Sequence, residues 1–338
     1  MMEIQNTLSK RKEIYKDNIS RRNRAEKIFN ILLLFSVLFG LLMLTVLLID
    51  IAVKGYSWVR PELFENYHSR KPENAGMKSA IAGSVIVIGL TGLFSFPIGV
   101  GAAIYLEEYA SKNKLTAFIN LNINNLAGVP SIVYGMLGLV VFGRMFGVFR
   151  EGSWLVEFLN LPVQSGAIGG LQFNLFGIPW LEMHIPFGRS MVAGALTMTL
   201  LILPVVIIAA REAIRAVPPS IREGGYALGT TKWHVIKTLV LPIAFPGILT
   251  GMILSLSRAI GETAPLIIMG AFTYVPFLPR SVWDQFTVIP IQIYNWITLP
   301  QTEYRVHLAA AGILVLLFIL FLMNGIAIYL RKKFEIKW

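Results

Sequence analysis

Arg258 and Glu262 stand four residues apart inside the apolar stretch 249–270. On a helix that spacing puts both side chains on one face. Charges within a membrane span are costly and mark a transport path or an internal partner. A guanidinium offers a planar fork of donors that matches the oxygens of phosphate-like anions. Glu262 would then hold and partly neutralise Arg258 between transport events, so that the anion does not stick. A structural ion pair joining neighbouring helices is the competing explanation. Ser257 and Thr263 add hydroxyl donors beside the pair, although hydroxyls on helices commonly bond their own backbone. Pro265 removes a backbone donor and is expected to kink the same helix just beyond the charges.

These residues need membrane-spanning elements to hold them. Hydrophobic residues make up 55% of the 338 and charged residues only 14%, more apolar surface than one water-soluble core would hide. Residues 28–49 carry no charge, and at about 1.5 Å per residue they exceed a hydrocarbon core of roughly 30 Å. Some 27 largely polar residues precede them, which fits an uncleaved anchor better than a secretory leader. The same criterion gives further spans at 79–106, 126–142, 190–210, 239–271 and 308–330. The expected fold is an all-α membrane protein with six transmembrane helices. The span 126–142 is the shortest, and Asn120, Asn122, Asn124 and Asn125 precede it. Cysteine is absent, which excludes disulfides, thiolate zinc sites and a cysteine nucleophile.

Basic residues favour the cytoplasmic side of short loops. With both termini inside, inner segments hold 19 Lys and Arg and outer segments 10, Arg258 completing the 30. The net charge of +11 therefore reports topology and attraction to anionic lipid more than a nucleic-acid partner. The chain reads as a basic N-terminus (1–27), one membrane domain (28–330) and a short cytoplasmic tail (331–338), with no internal repeat. Long outer loops at 144–189 and 272–307 carry Trp154, Trp180, Trp283 and Trp296, suited either to interfacial anchoring or to docking an external partner. Glu107 and Glu108 are adjacent, point in different directions on a helix, and are expected at a solvated helix end.

The largest inner loop, 211–238, contains Pro218-Pro219, then Ser220 and Glu223 at capping-box spacing, so a new helix is expected to start there. Gly229 is its natural stop before a second helical piece at 232–239. The small residues Gly224, Gly225 and Ala227 would let another protein approach the backbone closely. Glu223-Gly224-Gly225, three residues, Gly229, nine residues, Leu239, one residue and Leu241-Pro242 match the spacing of the EAA loop of ABC-importer permeases, with Gly in place of both alanines and Leu for the usual Ile. Residues 125–135 (NLAGVPSIVYG) resemble the third-helix motif of phosphate importer permeases, and residues 259–266 (AIGETAPL) resemble the PstA type. Residues 292–296, Asn324 and Arg331-Lys332-Lys333-Phe334 are similar to PstA ends.

The resemblance implies a MetI-like ABC type I permease core over about 79–330, set in the bacterial inner membrane. It also implies that Ser220, Glu223, Gly224, Gly225, Ala227 and Gly229 belong to a coupling helix seated in a groove of a cytoplasmic ATPase. The implied partners are a PstC-like permease, two ATPase subunits and an external phosphate-binding protein. The implied substrate path runs past Arg258, Glu262, Thr263 and Ser257. No cofactor is expected on this chain, ATP being used by the partner ATPase, and no Walker A string or zinc-type histidine spacing occurs in it. Permeases for sulfate or molybdate, and an ion-coupled secondary transporter using Glu262 as a proton or cation site, are the competing readings. The second leaves the EAA-like spacing unexplained.

The topology is open to direct labelling, because the chain has no native cysteine. Single cysteines at Asn74 and Gly152 should react with an impermeant thiol reagent applied to intact cells, whereas cysteines at Lys112 and Glu335 should not. Reaction at Lys112 would contradict the six-helix arrangement.

Overall fold

The computed structural model describes residues 2–111, 113–144, 170–174, 182–186, 190–271 and 274–334, in two compact units, 1–54 and 55–338. The first is helix α1 (Met2–Gly55), 54 residues long, or about 81 Å at 1.5 Å per residue. From Ile28 onward its large apolar side chains are exposed on every face, among them Ile31, Phe35, Val37 and Leu42. A helix that is hydrophobic all round belongs in lipid.

In the second unit, short α2 (Pro61–Glu65) precedes α3 (Lys78–Ile104), which runs on through a π-helical turn, Tyr105–Tyr109. Then come α4 (Lys114–Ala127) and α5 (Ser131–Gly138), the latter extended by a π turn, Leu139–Arg144. A two-stranded antiparallel ribbon, β1 (Gly170–Asn174) with β2 (Glu182–Pro186), lies in the segment between α5 and α6 (Met191–Arg215). Next, α7 (Pro219–Ala227) and α8 (Lys232–Val235) form a hairpin, and a π turn, Ile236–Val240, leads into α9 (Leu241–Ile260). Short α10 (Ala264–Met269), α11 (Ile289–Thr298), a π turn (Glu303–Leu308) and α12 (Ala309–Phe334) complete the chain. Trp154, Trp180, Lys112, Gly152 and Glu335 lie outside the described residues, whereas Asn74 is exposed.

Among the described residues, five helices are long and apolar enough to cross a membrane: Glu26–Trp58, Lys78–Tyr109, Met191–Arg215, Lys232–Ile260 and Glu303–Lys333. The sixth expected span is a bent pair, Lys114–Ala127 with Ser131–Phe142, turning through 104°. The expectation of a continuous helix over 126–142 is therefore corrected. Pro130 has no amide hydrogen to continue the ladder, so α4 closes at Gly128, whose amide donates to Asn125 O at 3.0 Å. Tyr134 then donates its hydroxyl to Leu126 O at 2.7 Å, satisfying a carbonyl that the break frees.

The expected span 239–271 is also interrupted. Helix α9 ends at Ile260 and α10 starts at Ala264, so Pro265 sits in the first turn of a new helix, where its missing donor costs nothing, instead of kinking one continuous helix. Non-helical backbone at membrane depth is tolerated only where it is buried in protein or lines a wet cavity. Here the two breaks are brought together. A Cβ added to Gly135 of α5 would stand 2.6 Å from Pro265 Cα and 3.0 Å from Pro265 O, so the two short helices touch backbone to backbone.

Around this contact, α6 lies at the centre of a core in which Val87, Tyr134, Met198, Ile202, Val206, Leu256, Leu266 and Phe286 are all buried. A second cluster, at the hairpin end, joins Ala103, Ile214, Val235, Val240 and Ile248. A third, at the opposite end, packs Leu63, Met77, Ile289, Trp296 and Tyr304. Trp296 is completely buried there, which removes it from the residues free to anchor at an interface or to meet a partner. In the same cap Gln292 Nε2 and His68 Nδ1 are 2.8 Å apart. Burial lowers the His68 pKa, so the neutral ring accepts this hydrogen bond.

Gly135→Ala should press its methyl into the Pro265 backbone, which has no rotamer with which to yield. The expected cost is about 1–3 kcal/mol, as for an overpacked core. It should appear as a lower thermal midpoint of the purified protein, and Gly128→Ala, whose Cβ would meet only Asn125 O at 3.5 Å, should leave that midpoint nearly unchanged.

Candidate functional site

Arg258 lies in the last turn of α9, about 27 Å beyond Val240 at 1.5 Å per residue. It therefore stands at the far end of its helix from the α7–α8 hairpin. Its side chain is 62% exposed in this single chain, while that of Glu262 is 20% exposed. Arg258 Nε and Glu262 Oε1 are 3.7 Å apart, longer than the roughly 2.7–2.9 Å of a charge-assisted hydrogen bond. The pair is formed, but not as two positions on one helix face. Gly261 and Glu262 close the helix with amides donated to Arg258 O (3.2 Å) and Ala259 O (3.1 Å), and Glu262 comes back to Arg258 from the break.

The flanking hydroxyls divide. Ser257 donates to Asn324 Oδ1 of α12 at 2.8 Å, a bond between helices in place of the expected backbone bond. Thr263 is the N-cap residue of α10 and gives no side-chain cap bond. The arrangement leaves Arg258 as an accessible, loosely restrained cation beside a backbone interruption. Its fork has donors to spare for an anion's oxygens.

At the hairpin, Gly229 has φ +70° and its amide donates to Tyr226 O at 2.9 Å, the left-handed stop that its position predicts. The capping box is not formed. Pro219 takes the first helical position, so Pro218 becomes the N-cap and Ser220 falls inside the first turn without a cap bond. Ser220, Glu223, Gly224 and Ala227 are exposed, whereas Gly225 is buried. A Cβ on Gly225 would meet Val235 Cγ2 at 2.8 Å and Leu239 Cδ1 at 3.0 Å, while one on Gly224 meets nothing. Gly225 thus closes the hairpin on itself, and Gly224 is the glycine that leaves the outer surface open. Tyr226, Leu228 and Trp233 add exposed apolar area to that surface. Sequence reasoning missed these three, although their spacing around Gly229 was available.

The expectation of a solvated Glu107-Glu108 helix end is also corrected. Glu107 accepts from Arg215 Nε (3.0 Å) and Arg211 Nη2 (3.3 Å), and Arg211 Nη1 reaches Asn120 Oδ1 of α4 at 2.7 Å. Glu108 accepts from Arg222 Nε and Nη2 at 3.0 and 2.8 Å. The two carboxylates do point apart, as adjacent helical residues must, but each finds a guanidinium.

Residues 95–336 match the family described as binding-protein-dependent transport system inner membrane component. The chain belongs to that family. As an ABC permease it is a membrane component, ATP being hydrolysed on a separate subunit. Residues 16–59 match a second family, a domain of unknown function. This permease is 30% identical to the phosphate transport system permease protein PstA of Yersinia pestis, over 92% of each chain. It is 31% identical to PstC of Haemophilus influenzae, over 77% of this chain and 79% of that one. A crystal structure of a bacterial alginate ABC transporter with its periplasmic protein shares the fold, with TM-score 0.62 and 16% identity over 92% of this permease and 96% of that chain. The motif resemblances and the helical permease architecture, with five membrane-length helices and one bent pair among the described residues, agree with these likenesses.

Gly229→Val would force a β-branched residue into left-handed backbone, at a cost of about 1–2 kcal/mol or more. The hairpin should loosen, read as faster limited proteolysis within residues 226–232 and as less ATPase subunit co-purifying with the permease. Gly224→Ala, which meets no atom within the chain, should leave the proteolysis rate unchanged.

Proposed function

We propose that this chain is a PstA-like permease subunit of an ATP-driven phosphate importer. With a PstC-like second permease it lines the path of inorganic phosphate across the bacterial inner membrane, both termini facing the cytoplasm. Two ATPase subunits dock on the α7–α8 hairpin through the surface carrying Ser220, Glu223, Gly224, Ala227 and Gly229, with Gly225 shaping it from within. An external phosphate-binding protein delivers the substrate, and the only nucleotide used is the ATP of the ATPase pair.

The observation that carries this reading is the exposed Arg258 at an interrupted membrane helix, with Glu262 at 3.7 Å, in a chain that aligns with PstA over 92% of its length. A dianion crossing a low-dielectric region needs positive potential and directional donors, and Arg258 supplies both. Glu262 lowers the residence time of the anion by competing for the same guanidinium. Thr263 in the break provides a neutral donor beside it, while Ser257, its hydroxyl hydrogen donated to Asn324 Oδ1 at 2.8 Å, would have to release that bond to donate to the anion. Family membership supplies the ATPase partner that an ion-coupled transporter would lack, and the full-length PstA likeness favours phosphate over sulfate or molybdate.

Removing the guanidinium leaves Glu262 facing the incoming anion, so Arg258→Ala should abolish phosphate uptake in the assembled transporter. Arg258→Lys, which keeps the charge and loses the fork, should retain part of it. The double variant Arg258→Gln, Glu262→Gln removes both charges together, which relieves a purely structural pair but restores no anion path. Uptake of inorganic phosphate by that variant should stay below about one tenth of wild type, roughly the loss of one charge-assisted contact. Wild-type uptake would make the pair structural.

A further inference from the structure

Helix α7 of the coupling hairpin is held in place by two unlike contacts, one within the hairpin and one to α3 and the end of α6. On one side Gly225 lies against Val235 and Leu239, an apolar contact without directional preference. On the other, Arg222 of α7 makes four directional bonds. Nε and Nη2 donate to Glu108 Oε1 (3.0 and 2.8 Å), Nη1 to Val217 O (2.7 Å) and Nη2 to Ile214 O (2.8 Å). Ile214 O lies in the last turn of α6 and Val217 O two residues beyond its end at Arg215, so Arg222 ties α7 to the turn that leaves α6. The side chains of Arg222 and Glu108 are only 19% and 7% exposed, so water does not screen the pair as it does a surface ion pair.

We propose that Arg222 and Glu108 form a rigid strut that carries movement of the hairpin into α3, Arg222 being the positioning residue. The inference rests on the coupling role proposed above for the hairpin. Glu108 sits on the π turn that ends α3, and its neighbour Glu107 grips Arg211 and Arg215 of α6, with Arg211 reaching α4 through Asn120. A push on α7 therefore reaches three membrane helices through one node. About 24 Å along α3, at 1.5 Å per residue, Gly92 faces α9: an added Cβ would lie 3.4 Å from Met252 Cε and 3.3 Å from Leu256 Cδ1. Leu256 is two residues from Arg258. The route from docking surface to candidate substrate residue is thus a continuous series of close contacts, rigid and directional where it leaves the hairpin.

The test uses the permease assembled with its partner permease and ATPase subunits, and a single cysteine at Leu254, exposed on α9 one turn before Arg258. In wild type, a non-hydrolysable ATP analogue should change the rate at which this cysteine reacts with a thiol reagent. In Glu108→Gln, which leaves the docking helix untouched, that change should shrink at least about fivefold, the low end of ordinary coupling between sites, while the ATPase co-purifies in normal amount. Arg222→Gln should behave alike, and Arg222→Lys should recover part of the change, since a single ammonium reaches the carboxylate but not both carbonyls as well. A wild-type response in Glu108→Gln would overturn the strut. So would loss of ATPase co-purification in that variant, which would make the pair a support for docking. A wild-type complex whose labelling ignores nucleotide would instead overturn the coupling role of the hairpin itself.

Discussion

Backbone that leaves the helix at membrane depth must be satisfied inside the protein, and the second unit is arranged around that constraint. Among the described residues, two of the spans expected from sequence, 126–142 and 239–271, are interrupted, one at Gly128 to Pro130 and one at Gly261 to Thr263. Neither interruption would stand alone in hydrocarbon. They are answered by each other: α10 lies on α5 with Pro265 against Gly135, Tyr134 supplies the donor that Leu126 O lacks, and Leu266 and Tyr134 enter the same buried core. The exposed arginine depends on this arrangement. A continuous α9–α10 helix would carry Glu262 on its surface, one turn beyond Arg258. The break lets the carboxylate fold back beside the guanidinium while leaving most of it accessible.

The same economy governs the hairpin end, where guanidinium and carboxylate side chains take over the tasks of helix caps. Arg222 donates to Ile214 O in the last turn of α6 and to Val217 O just beyond it, and at the same time ties α7 to α3. Buried ion pairs are weak sources of net stability, because desolvation offsets most of the attraction, but they are strict about geometry. A network of this kind contributes orientation more than it contributes folding free energy, which suits the strut proposed for it.

How much of this was legible depended on sequence distance. The Arg258–Glu262 pair spans four residues, and the left-handed stop at Gly229 is a property of one residue in its local turn, so both could be read along the chain. Glu108 and Arg222 are 114 residues apart, and the local pattern around Glu107-Glu108 differs in no way from an ordinary solvated helix end. The break after Ile260 was hidden for a related reason. The hydrophobic pattern runs on through Gly261 and resumes at Ala264, and only the packing of α10 on α5 chooses a stop over a bend. At Ser220 two local signals compete, and Pro219, fixed for the first helical position, overrides the capping-box spacing three residues long.

The π turn at Ile236–Val240 has a bearing on how this permease can vary. A π turn holds one residue more than the α-helical path it replaces, so it acts as a length of slack let into the helix that joins the hairpin to Arg258. Each residue of an α-helix rotates the remainder of the helix by about 100°. Were the turn shortened by one, Val235 would still close the hairpin, yet Arg258 would face about a quarter-turn away from the break that holds Glu262. The extra residue therefore works as a phase setting between two ends of the molecule. A single-residue deletion or insertion at this one point would re-aim the arginine without altering either end.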